Sequence, residues 1–525
     1  MQGIFVAQTY GAKGDGATDD YAAITAAIAA AYAAGGGIVW LPPTGAAYLI
    51  KTGLNLLAGV KLLGAGTACL NGSGTTIVSS WAQTGTWINC TDTVNPAVTI
   101  GTATTPAHGA SVVGINFVYS QPAQTSGWTP TLYPWTLLIQ SDLVVVENVW
   151  IIGAAYGVNL NNPNTYGIGN GIRLRDVRID AYVRGLRTAG CNDNVVIDGL
   201  FVEAQSGGLQ NQYVTTYILN NLICWECGYT DNPQVSNCYF FLGWQGILFV
   251  NETVLGNTHS FFNGTVNNLQ IGLCRIAMSC SSGVVVTGQF SNVTAQGTAL
   301  AVHALTGNSY SDILFNLQSD AIDIQFNGLA IPSTGGQVAI FGAGVGGQVE
   351  ISNLNVGGYS QVLAAQACLA RNAGCNLIID GRSITKPSGA GNTLVTVGST
   401  EIASPYNETW AVYSMPGQAT GVCTGSNINI SSFNGMFPRD IGKLQCRISG
   451  DVNITSAVSL GTIAFSLVGF PEITVTAPAG ATGNQNFDSG WLDFTTAART
   501  KIQYVTSIGT LGIAWSMNYM DVMFR

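Results

Sequence analysis

Five stretches in the middle of the chain share one pattern, and that pattern restricts the fold more than any other feature. They are "NVWIIGAAYGV" from Asn148, "DVRIDAYVRGL" from Asp176, "GLFVEAQSGGL" from Gly199, "NLICWECG" from Asn221 and "NCYFFLGWQGI" from Asn237. The first and third residues after each anchor are apolar: Val149/Ile151, Val177/Ile179, Leu200/Val202, Leu222/Cys224 and Cys238/Phe240. Glycine stands nine places after four of the anchors, at Gly157, Gly185, Gly208 and Gly246, with the Asn221 turn the exception. The steps between anchors are 28, 23, 22 and 16 residues. Period-two alternation places one set of side chains inside a strand layer and the other outside. A unit of this size cannot bury its apolar face alone and must stack on its neighbours. The expectation is a solenoid of strands whose loops absorb the irregular steps.

Composition agrees. Only 9% of the 525 residues are charged, 66 are glycine and 47% are hydrophobic, which excludes disorder and leaves Asn, Gln, Ser, Thr and Gly to make the surface. A net charge of −9 without a basic stripe excludes nucleic acid as a partner. The uncharged run from Tyr21 to Ile50 is cut by Gly35, Gly36 and Gly37, too early for membrane insertion. No signal peptide is visible in "MQGIFVAQTY". Twelve scattered cysteines read as reduced core thiols, since the Cys224/Cys227 pair has no second pair at zinc spacing. His108, His259 and His303 are isolated, so neither a metal nor a cofactor is expected.

The opening, "YGAKGDGATDDYAAITAAIAAAYAAGGGIVWLPP", begins with a turn at Gly14 and Gly16. Thr18 or Asp19 is placed to cap a helix over Ala22–Ala34, with Asp19 and Asp20 at its positive end. Ile24, Ile28 and Tyr32 form its apolar stripe, the three glycines stop it, and "IVWLP" reads as a strand. This stretch resembles the N-terminal signature of the pectate-lyase-like, right-handed parallel β-helix superfamily. That group includes polygalacturonases, pectin and alginate lyases, and phage tailspike polysaccharide depolymerases. The resemblance implies an all-β protein: a right-handed parallel β-helix with an N-terminal capping helix and a C-terminal β-sandwich or jelly-roll-like domain. The boundaries read as a cap over 1–50, a glycan-binding and catalytic β-helix over 51–385, a linker or neck over 386–409 and a sandwich over 410–525. The last would serve trimerisation or carbohydrate binding.

No visible leader, no disulfide framework and a separate β-rich C-terminal region make the likeness strongest to tailspike depolymerases. That resemblance implies a homotrimer on the virion that binds and cleaves bacterial capsular or exopolysaccharide, with a baseplate or adaptor protein as a further partner. A secreted glycanase is the alternative location and role, and a glycan-binding adhesin without catalysis is the alternative class.

The outward columns carry the candidate chemistry. The second residue after each anchor gives Trp150, Arg178, Phe201, Ile223 and Tyr239; the fourth gives Ile152, Asp180, Glu203, Trp225 and Phe241. Asp180 and Glu203 are expected one rung apart, about 5 Å, with Glu226 on the next rung at roughly 10 Å. Paired carboxylates at such separations serve as acid and base, or acid and nucleophile, in glycosidic cleavage. Asp180, Glu203 and Glu226 are therefore the catalytic candidates. Tyr182, Trp225, Phe241, Trp244, Arg178 and Arg184 are the substrate-binding candidates. Asp320 and Asp323 form a second acidic pair. The cluster Arg173, Arg175, Arg178, Arg184 and Arg187 keeps a lyase open, because β-elimination from an acidic glycan needs a cation beside the carboxylate.

Overall fold

The computed structural model describes residues 3–332 apart from 67–84, 103, 162–169, 205–210, 255, 299, 309–312 and 320, and beyond these the strands from Gln337 to Phe524. Gly208, Asp320 and most of the expected 386–409 linker lie outside the described residues. No helix among them is long and apolar enough to cross a membrane.

The main unit, Met1–Cys375 with Arg382–Gly398, is a right-handed parallel β-helix. Among the described residues, 27 strands form one sheet that pairs in parallel through three faces, and two short two-stranded sheets stand beside it. Two 17-residue strands, Val145–Asn161 and Arg173–Ala189, bend around all three faces and pair with each other over nearly their whole length. The first face carries Glu147, Arg175, Asp198 and Ser236 in register. The second carries Arg178, Phe201, Tyr239 and Gln270. The third carries Arg187, Glu226, Leu248 and Ser279.

The sequence anchors are the corner between the first two faces. Asn148, Asp176, Gly199 and Asn237 have φ of 52°, 52°, 70° and 55°, a left-handed conformation that Asn, Asp and Gly tolerate best. Asn268 and Asn292 continue the column at 56° and 54°, each Asn side chain donating to the one below: Asn292 Nδ2 to Asn268 Oδ1 and Asn268 Nδ2 to Asn237 Oδ1, both 3.2 Å. The apolar followers point inward, and Val149, Ile151, Ile179, Val202, Phe240 and Ile271 are fully buried. Gly157, Gly185 and Gly246 line the column where the second face meets the third. A Cβ on Gly157 would lie 2.3 Å from Gly185 O and 2.6 Å from Ile179 Cγ2.

Asn221 departs from this column. It ends the helix Gln212–Asn221, and Ile223–Cys227 then pairs with Arg184 to Thr188 on the third face. A helix inserted between the second and third faces thus separates a lookalike motif from the true corner, which in this rung is Gly199. Cys224 fills the glycine column there, between Gly185 and Gly246.

The N-terminal helix spans Tyr21–Ala33 in the connection between Gly3–Val6 and Gly37–Trp40, two strands of the first face that pair directly with each other. Its buried side is Ile24, Ala27, Ile28 and Ala31, while Tyr32 is 51% exposed and outside the expected stripe. Asp20 stands at the N-cap but makes no side-chain cap bond. Its carboxylate instead accepts from Lys13 N at 2.6 Å and Gly14 N at 3.0 Å, pinning the glycine turn. The second unit, Asn376–Gly381 with Ser399–Arg525, contains antiparallel sheets of six and three strands, the makeup of a β-sandwich.

The glycine column gives a stability test. Gly157→Ala forces a Cβ into backbone and Ile179, so urea unfolding should show a loss of about 1–3 kcal/mol. A loss near zero contradicts the packing described.

Candidate active site

The second face holds most of the expected constellation. Asp180, Glu203 and Phe241 pair in register on successive rungs, one strand spacing apart, about 4.8 Å. Beside them runs a second column of Trp150, Arg178, Phe201 and Tyr239. The Arg178 guanidinium is sandwiched 4.7 Å from the Trp150 ring and 4.8 Å from the Phe201 ring. Phe201 stacks on Tyr239 at 4.7 Å, and Tyr239 on Phe241 at 5.6 Å.

The carboxylates are not open to water: Asp180 is 3% and Glu203 1% exposed. Arg178 Nε donates to Glu203 Oε1 at 2.7 Å and Nη2 donates to the same oxygen. The guanidinium held between two rings is thus aimed at the buried Glu203 carboxyl in a charge-assisted pair. Trp150, Phe201, Tyr239, Phe241 and Arg178 are partly exposed and mark where this site reaches the surface.

Other expected residues lie elsewhere. Trp225 is an interior residue, 1% exposed, packed edge-on to Phe240 and Phe261, with its indole N–H donating to Thr188 Oγ1 at 3.1 Å. The register inferred from Asn221 had turned it outward; the inserted helix shifts the rung and reverses that. Tyr182 is 1% exposed beneath Trp128, ring centroids 5.0 Å apart, so it is no open sugar platform. Trp128 also meets Tyr217 at 5.6 Å, and Asn211 Nδ2 donates to Gln124 O at 3.0 Å. The 119–134 loop and the helix Gln212–Asn221 thus form a ridge over this corner. Trp244 is half-buried, its backbone N–H bonded to Ile218 O of that helix at 3.1 Å.

Glu226 belongs to the third face. It accepts from Arg184 Nε at 2.7 Å and Arg187 Nε at 2.9 Å, and Arg187 also pairs with Glu252. Burial pushes the Glu252 carboxyl above its ordinary value, against the pull of Arg187. This chain of alternating charge is separate from Asp180 and Glu203, so Glu226 is not the third member of their column. Nor do the five arginines form one patch: Arg173 and Arg175 face outward on the first face, Arg178 on the second, and Arg184 and Arg187 on the third. Asp323 is exposed on the first face, opposite Thr287 and Gln348.

His259, isolated in the sequence, has close partners in the fold. At the corner from the third face to the first, His259 is buried between Tyr229 and Phe262, with ring centroids at 3.9 and 4.9 Å. Burial holds its imidazole below the ordinary value while Asp231 pulls it up, and burial raises the Asp231 carboxyl. These residues come from separate rungs, and their meeting depends on loop lengths that no motif records. The Cys224/Cys227 thiols are buried, Cys224 against Cys274, and burial raises Cys227 to about 12.

Residues 4–297 match the family model described as rhamnogalacturonase A/epimerase, pectate lyase-like. The chain belongs to this family. Mannuronan C5-epimerase AlgE3 of Azotobacter vinelandii is 54% identical over 70 residues, 12% of this chain, and the match spans only 4% of that relative. Among solved structures, the catalytic unit of a GH87 alpha-1,3-glucanase from Streptomyces thermodiastaticus is 17% identical, with a TM-score of 0.45, covering 76% of this chain and 68% of that one. The tailspike protein of Acinetobacter baumannii bacteriophage Fri1, a capsular polysaccharide depolymerase, is 11% identical with a TM-score of 0.34, covering 99% and 86%.

The clamp on Glu203 makes Arg178 the costly member of the pair to lose. Arg178→Ala leaves a buried carboxylate without its cation and should destabilise the protein by about 3 kcal/mol in urea unfolding. Arg173→Ala, on the open first face, should cost under about 0.5 kcal/mol. Equal effects would contradict the clamp.

Proposed function

We propose that this protein is a polysaccharide depolymerase that hydrolyses glycosidic bonds with Asp180 and Glu203. The observation that carries the reading is their register: two buried carboxyls on adjacent rungs, one of them held by Arg178. Two carboxyls so close in a desolvated place favour having one ionised and one protonated. In this reading Glu203, paired with Arg178, is the carboxylate and Asp180 is the acid that gives its proton to the leaving oxygen. One strand spacing is the separation of nucleophile and acid in retaining glycosidases, so Glu203 attacks the anomeric carbon and Asp180 protonates the leaving group. Water then completes the second step, with Asp180 taking its proton. The partly exposed Phe201, Tyr239, Phe241 and Trp244 provide apolar contact for sugar rings beside the carboxyls. Membership of a family described by a rhamnogalacturonase and pectate lyases supports a polymeric carbohydrate as substrate.

In the same reading the chain is tailspike-like: a homotrimer on a phage tail whose partner is a bacterial capsular or exopolysaccharide. An antiparallel C-terminal unit following a solenoid supports a role in assembly. Light scattering should return three times the mass of one chain.

Digestion of purified bacterial polysaccharides tests the chemistry. Asp180→Asn and Glu203→Gln should each lower reducing-end release by about 10²–10⁴-fold, with folding retained. Glu226→Gln should keep activity within a few fold, and NMR should show the product born with the substrate's anomeric configuration. Full activity in both the Asp180 and Glu203 variants would overturn the site. Binding without cutting in the wild type would favour an adhesin.

A further inference from the structure

We infer that Trp150 is a positioning residue for the cleavage reaction: it acts by holding the Arg178 guanidinium against Glu203. The inference rests on the carboxylate-pair reading and adds to it a residue two rungs away from the attacking carboxylate.

Trp150, Arg178 and Phe201 occupy one column on three successive rungs of the second face. Rungs lie about 4.8 Å apart, so a side chain on the middle one has a neighbour directly on each side. Arg178 uses both. Its Cζ lies 4.7 Å from the centre of the Trp150 ring and 4.8 Å from that of the Phe201 ring. Among the described residues no other cation lies over a ring. A guanidinium is planar and weakly hydrated, and it stacks on aromatic faces where an ammonium acts as a compact point charge. Stacking of this kind leaves the rim of N–H groups free to bond, and Nε and Nη2 both donate to Glu203 Oε1.

The two rings are not equivalent. Phe201 shares a strand with Glu203 and lies beside it, where sugar contact is proposed. Trp150 shares a rung with Ile152, two below Glu203 and about 10 Å away along the stack. It packs against Ala47, Trp87, Val118 and Ile152, which are all buried on the outer side of the second face. Close packing there gives the indole a fixed floor. An arginine side chain left 38% exposed would otherwise keep much of its rotamer freedom. Between a seated ring below and a second ring above, its N–H groups have one place to go. A carboxylate that attacks an anomeric carbon needs its aim fixed closely, since a displacement of about 1 Å can cost roughly 100-fold in rate. Trp150 supplies that aim through Arg178.

Trp150→Leu removes the ring and keeps an apolar side chain on the floor. Its kcat should fall about 10–100-fold with KM within a few fold of wild type, and Trp150→Phe, which keeps a ring, should recover most of the loss. A higher KM with unchanged kcat is the mark of a sugar platform and overturns the inference. Chemical rescue reads the same pocket independently. In Arg178→Ala, millimolar guanidinium chloride should restore part of the activity and raise Tm, more than ammonium chloride at equal ionic strength. Both effects should vanish in the Trp150→Leu/Arg178→Ala double variant. An equal response to the two cations, or rescue that survives without Trp150, overturns the inference. Trp150→Leu keeps both members of the ion pair and so decides the question even if Arg178→Ala folds poorly. Full activity in Asp180→Asn and Glu203→Gln removes the carboxylate-pair reading and the inference with it. Activity lost in those two variants and kept in Trp150→Leu removes the inference alone.

Discussion

Parallel stacking of like residues on successive rungs is the constraint on which the rest of this protein depends. Backbone hydrogen bonds set a spacing of about 4.8 Å between rungs, so whatever stands at one position in a rung must coexist with its equivalents above and below. Apolar residues gain from that proximity and form the interior. Asn side chains bond one another at a corner where the backbone turns left-handed. Glycine is required where a Cβ would strike the next rung. Charges are the residues for which the rule is hardest, and the buried or half-buried glutamates Glu203, Glu226 and Glu252 each meet an arginine from another rung.

That rule explains why much of the fold was legible in the sequence. The anchors, the inward apolar pairs and the glycine column are all consequences of stacking, and each leaves a mark at a fixed offset. The second face could be written down rung by rung, including the adjacency of Asp180 and Glu203. Legibility failed where stacking stopped governing the chain. The helix Gln212–Asn221 interrupts the rung, and a chance Asn-apolar pair after it imitated a corner, which misplaced Trp225 and Glu226. Thr18 or Asp19 was the expected helix cap, but the capping position falls to Asp20, whose side chain bonds backbone before the helix, in the turn it closes. Tyr182 looked like an outward aromatic because nothing in its own rung announces the ridge carrying Trp128.

The electrostatic layout was the least legible part. Five arginines within fifteen residues look like a basic patch, yet a strand that wraps three faces spreads them around the whole prism. Each guanidinium on the inner two-thirds of that strand then finds a glutamate from a later rung. The arrangement leaves the second face with Arg178 paired to the buried Glu203.

The claim at the centre of this account is that a glycosidic bond sits across Asp180 and Glu203 on the second face. A crystal structure of the Asp180→Asn protein with a bound oligosaccharide of its substrate tests it most directly. The account predicts the scissile oxygen beside residue 180, the anomeric carbon facing the Glu203 carboxylate, and Arg178 still bonded to Glu203. Sugar bound instead along the Tyr229–His259 corner, or in a cleft between chains, would contradict it.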